Sequence, residues 1–176
     1  MATYTFHPLL FVAKVLAGTV IVSTLLIAVL SAPAFADETK PAVTEFGDWR
    51  AVCKTNCVIA QGLQNPEQPS IIYSSQISYV SGNNDPVLQL NLPLGIYLPP
   101  GVAIDIGTNK HRAPVTVCLP EGCKVLLQLT PAIVQQLRDN AAYTVQLFVN
   151  EQSPRQLKFS LRGFSEALAS LTAGSN

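Results

Sequence analysis

Histidine, tryptophan and methionine are nearly absent from this chain of 176 residues, with two, one and one copies, and 11 basic side chains are balanced by 11 acidic ones. A near-neutral chain with no basic run lacks the electrostatic footprint that nucleic-acid binding requires. Gly95, Gly101, Gly107 and Gly122 are isolated turn glycines and build no phosphate loop. His111 stands in GTNKHRAP between Lys110 and Arg112, where a solvated turn is expected, and no nucleophile elbow surrounds it. Asp48, Asp85, Asp105, Glu121 and Asp139 are scattered over turns and strand ends, without the facing pair a glycosidase needs. No enzymatic chemistry and no cofactor follow from these residues.

The N-terminus is the part richest in pattern. MATYTFHPLLFVAK leads into an apolar run from Val15 to Leu30, and SAPAFA then places Ala34 and Ala36 around Phe35 before Asp37 and Glu38. That order is a secretory signal peptide with an A-x-A site, so residues 1–36 are expected to be removed on export to the periplasm or beyond. An uncleaved segment would be the chain's one contact with a membrane. Residues 37–44 read as a flexible leader, 45–172 as a single domain large enough to bury a core, and 173–176 as a frayed tail.

Cys53, Cys57, Cys118 and Cys123 all lie in the exported part, where disulfides persist. Three pairings are open to four cysteines. CKTNC and CLPEGC each read as a tight hairpin closed by its own cysteines, which favours Cys53 with Cys57 and Cys118 with Cys123. The alternative is zinc held by the four thiolates, which the oxidising compartment disfavours, so no metal is expected. A thioredoxin-like role would need a C-x-x-C, and there is none.

Period-two alternation dominates the exported chain. Ile71, Tyr73, Ile77 and Tyr79 share one parity, SGNNDP turns, and Leu88, Leu90, Leu92, Leu94, Ile96 and Leu98 follow on even positions, continued by Val102, Ile104 and Ile106 after PPG. Further strands are expected at 49–53, 57–63, 115–119 and 123–129, with a hairpin of 143–149 and 157–161. Thr130-Pro131 starts a short helix near 131–139 with Ile133 and Leu137 on one face. A second helix at the C-terminus places Phe164, Ala167, Leu168 and Leu171 at i, i+3, i+4 and i+7. The fold class is therefore all-β: an antiparallel β-sandwich or flattened barrel with two short helices.

LPLGIYLPPGV is the most unusual stretch. Its prolines and glycines exclude a membrane helix, and its parity predicts a bent edge strand and turn with Leu94, Ile96 and Leu98 toward the core and Tyr97 facing outward. Leu94, Tyr97 and Leu98 are the candidate interaction residues. Tyr73, Tyr79, Tyr97 and Tyr143 are candidates for an aromatic surface, whereas lone Trp49 reads as core filler beside a cysteine.

FGDWRAVC with a second cysteine soon after, LPLGIYLPPGVAI, VCLPEGC and the closing LKFSLRGFSEAL together make residues 45–171 resemble the invasion-associated locus B family of exported bacterial proteins. The CKTNC interval is short for that pattern. The resemblance implies a compact β-sandwich of the cell envelope, a role in host-cell invasion for pathogenic members, and no catalytic residues. It points to a non-enzymatic protein whose partner is an unidentified protein or envelope surface. A periplasmic small-molecule-binding β module is the alternative.

Overall fold

The computed structural model describes residues 41–173. The proposed signal peptide and nearly all of the proposed tail lie outside the described residues. Eleven strands and two helices follow in order: β1 (Ala42–Phe46), β2 (Trp49–Cys53), β3 (Cys57–Gln64), β4 (Ile72–Ser78), β5 (Val87–Leu92), β6 (Val102–Ile106), β7 (Asn109–Ala113), β8 (Val115–Leu119), β9 (Gly122–Gln128), α1 (Pro131–Arg138), β10 (Ala142–Asn150), β11 (Ser153–Ser160) and α2 (Phe164–Ala173). Every pairing is antiparallel, in a seven-stranded sheet of order β1-β2-β3-β4-β5-β9-β8 and a four-stranded sheet of order β11-β10-β6-β7. The sheets remain open, forming a sandwich and not a closed barrel.

Alternation decides which side chains meet between the sheets. Ile59, Tyr73, Ile77, Leu88, Leu90, Leu92 and Val125 come from the larger sheet, and Val102, Ile104, Ile106, Tyr143, Val145, Leu147 and Phe159 from the smaller one. Tyr143 stacks on Phe159, with ring centroids 5.2 Å apart, and its hydroxyl reaches Ser75 Oγ at 2.5 Å. Burial pushes that phenol's pKa well above its ordinary value. Tyr73 and Tyr143 are thus core residues, which corrects the expectation of an aromatic surface.

Both helices form where expected. Thr130 caps α1 by accepting from Ile133 N, Pro131 opens the helix, and Ile133 and Leu137 are buried. In α2, Phe164, Ala167, Leu168 and Leu171 are buried against β1, β2 and β3.

Three expectations need correction. Residues 42–44, read as leader, pair with 51–53 as part of β1. His111 lies in strand β7 and not in a turn; it is half-buried, with Nε2 2.9 Å from Gln136 Oε1 on α1. The stretch after Leu92 is no edge strand: β5 lies between β4 and β9, β6 lies between β10 and β7, and residues 93–101 cross from one sheet to the other. The apolar parity of the two strands is real, but it belongs to two different sheets. Pro93 cannot donate to a ladder, and Gly95 at φ 89 turns the backbone, so alternation does not carry through.

Candidate functional site

The crossover is fixed at its middle and at its end. Tyr97 N donates to Phe148 O at 2.7 Å, and Tyr97 Oη donates to Glu151 Oε1 at 3.0 Å, which raises the phenol's pKa because the carboxylate holds its proton. Gly101 N donates to Leu98 O at 2.9 Å and closes the Pro-Pro turn. Gly101 sits at φ 65, and a Cβ there would lie 2.8 Å from Ala113 O, so the position admits only glycine.

Of the candidate interaction residues, Leu94 is 55% exposed and Leu98 46%, which corrects the expectation that both point into the core. Ile96 alone packs partly against it, and Tyr97 is half-buried with its hydroxyl engaged. Leu94 instead joins Ile71, Ile72, Pro93 and Pro120 along a surface groove of about 430 Å³ with Glu121 at its border, and Ile72 is 62% exposed. Tyr97 and Leu98 lie outside that groove, toward the end of β10.

Each cysteine pair forms its local disulfide. Cys53–Cys57 and Cys118–Cys123 join directly opposed residues of β2–β3 and β8–β9, with Cα separations of 4.1 and 3.9 Å. The first closes the β2–β3 turn, beside the end of β4, while the second lies at the opposite end of the sheet, where Cys123 pairs with Leu92 at the end of β5.

A polar cluster that sequence reasoning missed joins two of the motifs quoted for the family resemblance, GDW near the start of the domain and SLRGF near its end. Arg162 donates to Asp48 through Nε at 3.1 Å and Nη2 at 2.5 Å, and Ser160 Oγ donates to Asp48 Oδ2 at 2.6 Å. These bonds hold the Asp48 carboxyl at about 2, Arg162 contributing most and Ser160 next. Beneath them, buried Gln61 donates to Asp48 O and accepts from Ser160 N, while fully buried Trp49 donates from Nε1 to Ser160 O at 3.0 Å and packs on Phe164. The core reading of Trp49 is therefore correct. Asp48 was visible in the sequence only as one of several scattered acids; the signal that could have found the cluster was a glycine beside each motif. The ion pair is structural in form, since the bidentate geometry satisfies both charges. Among the described residues, no three His, Cys, Asp or Glu side chains gather as metal ligands, and no helix is long and apolar enough to cross a membrane.

The profile of the family described as Invasion associated locus B (IalB) protein matches residues 45–172, from the residue before FGDW through the helix after SLRGF. The chain belongs to the IalB family. A solved structure, that of invasion associated protein B from Bartonella henselae, superposes with a TM-score of 0.66 over 75% of this chain and 96% of that one, at 21% identity. That likeness establishes a shared fold. No curated protein matches this chain significantly. The family match spans the Asp48–Arg162 cluster, both disulfides and the crossover.

Proposed function

We propose that this IalB family member is an exported, non-enzymatic protein of the cell envelope that docks another protein or an envelope surface through its 93–101 crossover and the groove beside it. The observation that carries this reading is the exposure of Leu94 and Leu98 on a crossover whose backbone is pinned at Tyr97 and Gly101, with exposed Ile72 of β4 lining the same groove as Leu94. Exposed leucines on a rigid segment are what a preformed docking surface needs, because little ordering entropy is lost on binding. The fully buried side chains of both sheets, Ile59, Leu90, Ile104, Tyr143 and Phe159 among them, argue against a ligand held between the sheets. Two disulfides agree with export, since such bonds persist in oxidising compartments. Contact with a host cell would be one use of such a surface.

Capture from envelope extract by the immobilised mature domain tests the reading. Wild type is expected to retain a discrete partner that a Leu94→Asp/Leu98→Asp variant of unchanged melting temperature loses. Equal capture by both would remove the crossover from the account.

A further inference from the structure

Each sheet ends in two strand edges, β1 and β8 on the larger sheet and β11 and β7 on the smaller. A free edge offers backbone donors and acceptors to any other strand, and proteins blunt it with charge or proline. β1 carries Glu45, β7 carries Lys110 and Arg112, and β11 carries Pro154, Arg155 and Lys158. β8 is different. Its five residues, VTVCL, hold no charge and no proline, and the last four of them are exposed.

The register of the β8–β9 hairpin decides which groups face that edge. Leu119 and Gly122 close a two-residue turn, which makes them a hydrogen-bonded pair, so Cys118 and Cys123 beside them form a non-hydrogen-bonded pair, in keeping with their Cα separation of 3.9 Å. The backbone N–H and C=O of Cys118 therefore point away from β9 and into the open edge. Val117 lies opposite Lys124 and Leu119 opposite Gly122, on the side of the sheet away from buried Cys123 and Val125, and Leu126 shares that outer side. Val117, Leu119 and Leu126 are all exposed, and together they make an apolar strip along the edge.

We propose that β8 pairs antiparallel with β8 of a second copy of this chain, about a two-fold axis at Cys118. In that register the Cys118 N–H and C=O of each copy bond those of the other, and on both sides of the axis Val117 of one copy meets Leu119 of the other, in non-hydrogen-bonded pairs that bring side chains closest. The neutrality of the strand is what selects a second copy. A two-fold pairing sets a surface against itself, and β7 paired in this way about His111 would oppose Lys110 of one copy to Arg112 of the other, whereas VTVCL meets its own copy without repulsion. Pro114 and Pro120 bound the strand, so the pairing is short and the dimer weak and reversible. This inference goes beyond the crossover docking surface: Val117, Leu119 and Leu126 do not line the groove beside Leu94, although Pro120 and Glu121 of the adjoining turn border it.

Sedimentation equilibrium of the mature protein from about 10 µM to about 1 mM tests the proposal without any docking partner present. Wild type is expected to pass from monomer to dimer across that range, and hydrogen exchange at the Cys118 amide should slow at its upper end. Val117→Glu, which Lys124 accommodates within one copy, and Leu119→Lys should each weaken the dimer by about tenfold or more at unchanged melting temperature, while Val43→Lys on the β1 edge leaves it intact. Mixing the two β8 variants should restore the dimer, because the register opposes their new charges. A monomer at about 1 mM, a dimer unaffected by either β8 variant, or no recovery on mixing would overturn the proposal. So would protection of the Cys118 amide only after envelope extract is added, which would mean that a strand of another protein occupies the edge.

Discussion

Asp48 and Arg162 clamp the first hairpin of the larger sheet to the chain leaving the last strand of the smaller one, through two side-chain hydrogen bonds and a backbone bond from Asp48 N to Arg162 O at 3.1 Å. The carboxyl is held near 2 against an ordinary value of 3.8. A depressed acid adds stability that is complete above its unfolded-state value and is lost as pH falls through its folded-state value. Thermal melts should therefore show wild type losing its advantage over Asp48→Asn between pH 3.8 and about 2, with the two curves converging below. Melting temperatures that run parallel through that window would remove the clamp's electrostatic role.

Gly47 and Gly163 lie back to back under the same clamp, at φ 57 and 82, and a Cβ on Gly47 would lie 2.6 Å from Arg162 O while one on Gly163 would collide with Phe46 O. Backbone cannot move aside as a flexible side chain would. Gly163→Ala should cost about 3 kcal/mol in urea denaturation, combining left-handed strain with overpacking. Gly82→Ala has the same φ but open space around it, and should cost only about 1–2 kcal/mol. Equal losses would show that torsion alone matters at Gly163.

Sequence legibility followed apolar periodicity closely. Leu88, Leu90 and Leu92, the Thr130-Pro131 helix start and the Phe164–Leu171 face were readable because each buries one regular side. Edge strands β1 and β7 were not, since AVTEF is almost wholly exposed and NKHRA buries only Ala113; both are held by backbone pairing, which leaves no mark on side-chain type. The Asp48–Ser160–Arg162 cluster escaped for another reason. Its members lie 112 and 114 residues apart in sequence, and only the fold brings them together.

The end of β5 offers a sharp contrast between neighbours of equal parity. Leu90→Ala removes a fully buried side chain and should cost about 3 kcal/mol, whereas Leu94→Ala, four residues on, should cost no more than about 0.5 kcal/mol. Comparable losses in urea denaturation would mean that the crossover packs inward.

Each disulfide closes a short loop, with sequence separations of 4 and 5. The chain-entropy model then gives about 2 kcal/mol per bond, so a Cys53→Ala/Cys57→Ala variant should fold and lose about that much. Non-reducing peptide maps should contain no peptide linking the 53–57 region to the 118–123 region. Failure of the double variant to fold would show that the first bond does more than constrain the unfolded chain.

Photocrosslinking in intact cells puts the docking surface to the most direct test. With p-benzoylphenylalanine at position 94 or 98, irradiation should yield a discrete adduct at each position, and the same label at exposed Glu166 on α2 should yield none. Adducts absent from 94 and 98, or the same adduct from all three positions, would contradict the claim that the crossover is where this protein meets its partner.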